Sequence, residues 1–149
     1  MKKILLDTNF LMIPGQFLVD IFDGIAQAMH EPYELIVLDK SLSELEKLAT
    51  GNSMDARAAR LALALVRAHE ESSPTILQKI VGLAPQGKQK RLKVVSVSGK
   101  GYVDDALLRI ADDDTLVATQ DAALRRRLRE RGIPCVVLVQ KKHIKIINA

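Results

Sequence analysis

Asp7, Glu44, Asp104 and Asp121 are four carboxylates that each stand where an apolar run gives way to a helix, at its start or within its first turn. Singly, each is explained as a helix-terminal residue. Asp7 follows Ile4-Leu5-Leu6 and precedes Thr8-Asn9, a turn or cap position. Ser41-Leu42-Ser43-Glu44 fits a capping box, in which the glutamate reaches back to the Ser41 backbone. Asp121 follows Val117-Ala118-Thr119-Gln120 and is placed to cap the helix that runs through Leu128. Together, in a chain of formal charge +4, they read as an oxygen-lined pocket for a hard divalent cation. Several carboxylates gathered in one place repel and drift toward protonation unless a cation neutralises them. Oxygen-only ligands favour Mg²⁺ or Mn²⁺. His30, His69 and His143 are scattered and the only cysteine is Cys135, which speaks against zinc.

Helical spacing separates the neighbours Asp104 and Asp105. Three, four and seven residues after Asp104 come Leu107, Leu108 and Ala111, all apolar; the same steps from Asp105 reach Leu108, Arg109 and Asp112. Asp104 therefore shares the buried face and Asp105 leans to solvent. An inward carboxylate needs a partner. No basic residue is near on that face, so a cation is the expected one. Asp112-Asp113-Asp114 reads as a solvated turn without chemistry. Gly99-Lys100-Gly101 lacks the rest of either nucleotide fingerprint, and no serine has a nucleophile-elbow context.

The elements that must position these acids follow from the apolar runs. With 149 residues and 48 % apolar but only 3 % aromatic side chains, the chain is expected to be one domain with an aliphatic core and without a base-stacking surface. Strands are expected at Ile4 to Leu6, Leu35 to Leu38, Val94 to Val97, Thr115 to Ala118 and Cys135 to Val139, with an edge strand at Ile144 to Ile147. Phe17, Ile21, Ile25 and Met29 recur every four residues and predict a first helix closed by Pro32. Ser41 is expected to open a second, Ala56 to Ala68 forms a third, and a short helix is expected over Ile76 to Val81. Val103 to Ala111 and a segment anchored by Leu124 and Leu128, stopped by Gly132 and Pro134, complete the set. Alternating strands and helices imply an α/β fold, a three-layer α/β/α sandwich around a mainly parallel sheet, with ligands beyond the carboxyl ends of the strands. After Asp121 the only acid is Glu130, against Arg125, Arg126, Arg127, Arg129, Arg131, Lys141, Lys142 and Lys145, a basic flank suited to a polyanion. Cys135 is expected to be a buried hydrophobe. The short apolar N-terminus and the lack of a membrane-length run imply a soluble, cytoplasmic protein.

These motifs resemble a known family. Leu6-Asp7-Thr8-Asn9-Phe10-Leu11, Leu42 through Leu48 around Glu44, Val103-Asp104-Asp105-Ala106-Leu107-Leu108 and Val117-Ala118-Thr119-Gln120-Asp121 look like the four acidic motifs of PIN-domain ribonucleases, in order and spacing, from Ile4 to about Val139. The paired aspartates, the Arg-rich helix and the ending Val139-Gln140-Lys141-Lys142-His143 are similar to an archaeal branch related to the eukaryotic PIN nuclease of small-subunit ribosomal RNA processing; VapC-type toxins share the core. The usual third motif has one aspartate where this chain has two. The resemblance implies a Mg²⁺- or Mn²⁺-dependent endoribonuclease in which Asp7, Glu44, Asp104 and Asp121 hold the metal, with Asp105 as a contributor. It also implies that Thr119 orients Asp121, that Thr8 or Asn9 steadies Asp7 or the substrate, and that Arg125 to Arg131 and Lys88 to Lys93 grip the RNA backbone. A homodimer, or an antitoxin partner under the toxin reading, follows from it too. The rivals are an RNA-binding assembly factor that does not cut and a phosphatase or phospho-receiver; the common aspartate-nucleophile phosphatase wants an aspartate where Asn9 stands.

Overall fold

A computed structural model describes residues 1–70, 92–97, 99 and 101–148. The expected helix over Ile76 to Val81 and the lysines at 88 and 90 lie outside the described residues. Among the described residues six strands form one sheet: β1 (Lys2–Leu6), β2 (Tyr33–Leu38), β3 (Leu92–Val95), β4 (Thr115–Ala118), β5 (Cys135–Val139) and β6 (His143–Ile147), in the order β3-β2-β1-β4-β5-β6. The first five are parallel to their neighbours and β6 pairs antiparallel with β5 at the edge. Between the strands run α1 (Thr8–Leu11), α2 (Ile13–Phe17), α3 (Ile21–Ala28), α4 (Asp39–Leu48), α5 (Met54–His69), α6 (Val103–Ile110) and α7 (Ala122–Glu130).

Both faces of the sheet are covered, because the central strands are apolar on both sides. Ile4 and Leu6 of β1 pack into one layer with Phe22 and Ile25 of α3, Leu45 of α4 and Ala59 and Val66 of α5. Leu5, one residue out of phase, packs into the other with Leu107 of α6 and Leu124 and Leu128 of α7. Each of these fully buried leucines contributes about 2 kcal/mol of transfer free energy, so two leucines suffice to seat the otherwise Arg-rich α7.

The four-residue repeat from Phe17 to Met29 is not one helix. Leu18 takes a left-handed backbone (φ 57°) that closes α2, and Asp20 then opens α3 by accepting from the Phe22 and Asp23 N–H groups. At this break Leu18 is 92 % exposed and lies outside the core. The neighbouring Gly15 is required by closeness, since a Cβ there would lie 2.5 Å from the Ala58 Cα where α2 crosses α5. Among the described residues no helix is long and apolar enough to cross a membrane.

The topology sets the place of the site. From β1 the chain winds outward through β2 and β3, then returns to β4 on the other side of β1. β1 and β4 therefore flank the point where the winding reverses, and the crevice beyond their carboxyl ends is where an open α/β sheet binds its ligand.

Candidate active site

Asp7 is the first residue past β1, and its N–H still donates to the Ala118 carbonyl at 2.9 Å, so the β1–β4 ladder fixes its backbone. Its side chain is fixed twice. Oδ1 accepts from the Thr8 N–H at 2.8 Å, capping α1, and Oδ2 accepts from Thr119 Oγ1 at 2.7 Å. Thr119, expected to orient Asp121, accepts from the Asp121 N–H at 3.0 Å, and the same hydroxyl also grips the Asp7 carboxylate. Asn9 completes the seam, with Oδ1 accepting from the Gln120 N–H at 3.0 Å. Burial pushes the Asp7 carboxyl above its usual range, the two hydrogen bonds oppose that, and the charges of Glu44 and Asp121 add to the rise. Asp7 is thus a rigid, partly desolvated carboxylate with like charges beside it.

Asp121 caps α7, its Oδ1 accepting from the Ala123 and Leu124 N–H groups at 2.8 and 3.2 Å. The cap and the cleft are not alternatives, because a carboxylate has a second oxygen. Glu44 is different. The helix carrying it starts at Asp39 with Leu38 as its cap, so Ser41 is already the third helical residue and the expected capping box does not form. Ser41 Oγ is buried and has no hydrogen-bond partner among the described residues, and Glu44 sits more than a turn into α4.

Asp104 and Asp105 occupy the first turn of α6, and both are partly exposed, their side chains at 38 % and 49 %, so Asp104 is not on the buried face that its spacing implied. Asp104 lines the same cleft as Asp7, Glu44 and Asp121, whereas Asp105 lines a neighbouring depression with Arg109, Arg127 and Arg131. The expectation that Asp104 has no base nearby is corrected. Arg127 reaches across from α7 and forks between the pair, Nη1 lying 3.6 Å from Asp104 Oδ2 and Nη2 3.1 Å from Asp105 Oδ1. A contact between helices separated by a strand leaves no local signature in sequence.

The basic flank also divides. Arg127 on α7 and Arg131 at its C-cap face α6 and the depression, while Arg125 and Arg129 face Cys135 and Ile147. Lys93 is paired with Glu34 at 3.1 Å. Cys135 is buried, and burial pushes its thiol up.

The cleft holds about 320 Å³ and is lined by Asp7, Thr8, Glu44, Asp104 and Asp121 with Met12, Leu48 and Tyr102. Tyr102 is 77 % exposed at its rim, an aromatic that composition alone did not lead one to expect there. Thr8 Oγ1 is buried beside Asp7 and has no hydrogen-bond partner among the described residues, which leaves it available to a bound water or ligand oxygen. Among the described residues no three His, Cys, Asp or Glu side chains stand close enough to bind one ion directly. That geometry still fits Mg²⁺, which keeps several waters and takes only one or two carboxylates. A larger cavity, about 540 Å³, lies between α3 and the β5–β6 turn, but its acids are already used: Asp20 caps α3 and Asp23 accepts from Gln27 Nε2 at 2.7 Å. The smaller cleft is where unsatisfied chemistry collects.

Comparison with known proteins bears on the family and the fold. Residues 4–80 match the family described as the PIN-like domain. Ribonuclease VapC4 of Methanocaldococcus jannaschii is 29 % identical over 150 aligned residues, spanning 99 % of this chain and 98 % of that protein. The rRNA-processing protein FCF1 of Saccharomyces cerevisiae is 31 % identical over 136 residues, 89 % of this chain but 57 % of that protein. In fold, the PIN domain endonuclease Utp24 superposes with a TM-score of 0.65 at 23 % identity, covering 99 % of this chain and 92 % of its own.

Proposed function

This chain belongs to the PIN-like domain family, and from that premise we propose that it is a Mg²⁺- or Mn²⁺-dependent endoribonuclease of the cytoplasm, acting in ribosomal RNA maturation. One observation carries the reading: Asp7 after β1, Glu44 on α4, Asp104 on α6 and Asp121 before α7 line a single cleft at the winding reversal.

One or two of Asp7, Asp104 and Asp121 would hold the ion directly and the others through its bound waters, with Glu44 completing the negative wall. Bound there, the metal supplies a water of lowered pKa and a positive charge for the scissile phosphate. The chain does the rest. Thr119 and the Thr8 N–H lock the Asp7 carboxylate, so its remaining lone pairs face the cleft without reorganisation. Thr8 Oγ1 offers a donor to a phosphate oxygen or a water. Arg109, Arg127 and Arg131 neutralise flanking phosphates without reading bases.

Purified protein is expected to cut a ribosomal RNA precursor fragment with Mn²⁺ or Mg²⁺, to stop on addition of EDTA, and to bind but not cut as Asp7→Asn. Cleavage by Asp7→Asn at the wild-type rate overturns the site; wild type that binds and never cuts makes the protein an assembly factor. The full-length likeness to Ribonuclease VapC4 favours a second reading, a toxin nuclease held by an antitoxin. Growth arrest on expression of the wild type but not of Asp7→Asn supports that reading; accumulation of uncut ribosomal precursor on depletion supports the first.

A further inference from the structure

Arg127 stands between the acid cleft and the arginine-lined depression, and it spans the adjacent carboxylates Asp104 and Asp105. Its Nη2 hydrogen-bonds to Asp105 Oδ1 at 3.1 Å; its Nη1 lies looser, 3.6 Å from Asp104 Oδ2. Only Asp104 of the two faces the cleft. All three side chains are between about a third and a half exposed, so neither contact is locked by burial. A planar guanidinium suits this bridge because its fork reaches two oxygens at fixed separation, which a lysine ammonium does not.

We propose that Arg127 serves as the cleft's internal counter-cation. In the metal-free protein it neutralises Asp104. When an ion takes that carboxylate, Arg127 is released toward the substrate phosphate, and Asp105 acts as its anchor beside the cleft instead of as a metal ligand. The inference rests on the metal-site reading above. Its logic is competition: a guanidinium and a divalent ion claim the same carboxylate, so each weakens the other's hold by the same factor. The second aspartate of the motif then has a reason of its own. Without Asp105, a released Arg127 has nothing to hold it near the scissile phosphate, and the depression lined by Arg109 and Arg131 loses its link to the cleft.

The test is a Mn²⁺ titration of metal-free, RNA-free protein, read by the electron paramagnetic resonance signal of the free ion, beside cleavage rates. Arg127→Met is expected to bind Mn²⁺ more tightly, up to about 5-fold, the range an exposed ion pair allows. It is nevertheless expected to cut RNA about 100-fold more slowly, having lost a donor to the developing charge. A merely structural loss moves both in the same direction. Arg127→Lys keeps the charge but not the fork and falls between; Arg126→Met, which removes a charge from the exposed face of the same helix, leaves Mn²⁺ binding unchanged. Asp104→Asn loses Mn²⁺ affinity in either background. Asp105→Asn weakens Mn²⁺ binding in the wild type, by leaving Arg127 wholly to Asp104, and has no effect once Arg127 is Met. Unchanged or weaker Mn²⁺ binding by Arg127→Met, or an Asp105→Asn loss that persists in the Arg127→Met background, overturns the inference while leaving the nuclease intact. A wild type that binds no Mn²⁺ overturns the metal site and this inference with it.

Discussion

β1 and β4 carry carboxylates at both of their ends, and the two ends treat them in opposite ways. At the amino ends, Lys3 Nζ lies 3.0 Å from Asp112 Oδ2 and Lys2 Nζ 3.9 Å from Asp114 Oδ1. Thr115 Oγ1 and the Asp114 N–H also donate to Asp112, at 2.8 and 2.9 Å. The Thr115 and Lys3 hydrogen bonds bring the Asp112 carboxyl down to about 2, and Asp112 in turn raises Lys3. At the carboxyl ends Asp7 also accepts two hydrogen bonds, yet burial and the nearby charges of Glu44 and Asp121 leave its carboxyl raised. Two ends of the same ladder thus separate an acid that is paid off within the chain from one that is left owing a cation. Counting acids does not distinguish them; counting their partners does.

The largest expected difference between the two ends is in cleavage. Asp7→Asn is expected to lower the rate by at least about 100-fold, since even an outer partner of a metal site is commonly worth 10- to 100-fold. Thr119→Ala, which removes the hydroxyl gripping Asp7, should fall within that outer-partner range. Asp112→Asn should cut like the wild type, because its turn lies at the other end of the strands. Rates under saturating Mn²⁺ on one RNA oligonucleotide check all three, and an Asp112→Asn as slow as Asp7→Asn would dissolve the distinction.

Metal-dependent stability comes next in size. An ion that binds only the folded chain stabilises it by about 2.7 kcal/mol at a concentration one hundred times its Kd. For a chain of this length that is about 5–10 °C in Tm. Wild type and Asp112→Asn should both show the shift with Mn²⁺ in a thermal melt, and Asp7→Asn and Asp104→Asn should lose most of it. Equal shifts in all four would mean that the ion binds elsewhere.

What sequence made legible follows the same division between local and distant. Continuous apolar runs such as Leu35 to Leu38 and Cys135 to Val139 marked the strands, because a strand buried on both faces has no polar residues to interrupt it. The reversal at Leu18 and the start of α4 at Asp39 were not legible, since each depends on backbone geometry that several residue types permit. In the site, the i+3 and i+4 neighbours of Asp104 and Asp105 separated the two carboxylates, a property of one helix, but not their similar partial exposure. The partners that decide their chemistry, Arg127 for Asp104 and Thr119 for Asp7, arrive from other elements, 23 and 112 residues away respectively. Side chains joined only by tertiary packing leave no spacing to read.

Smallest, and sharpest in sign, is the effect of each acid on the metal-free fold. The Asp7 carboxyl is raised above its ordinary 3.8, so its contribution favours folding below that pH and is lost as pH rises through the folded value. At neutral pH, ionised and without its ion, it weighs against the fold. Metal-free Asp7→Asn should therefore melt above the wild type at pH 7, Asn retaining an oxygen for the Thr8 N–H, with the gain vanishing toward pH 3.8. Asp112 runs the other way. Its carboxyl, lowered to about 2, stabilises the fold above 3.8, and that contribution disappears as pH falls through 2. Asp112→Asn should melt below the wild type at pH 7 and converge with it in strong acid. Melts in EDTA from pH 7 down through the acid limb read both signs on one axis. If Asp7→Asn melts below the wild type in EDTA, its two hydrogen bonds outweigh its burial, and the carboxyl ends of β1 and β4 are as well satisfied as the amino ends.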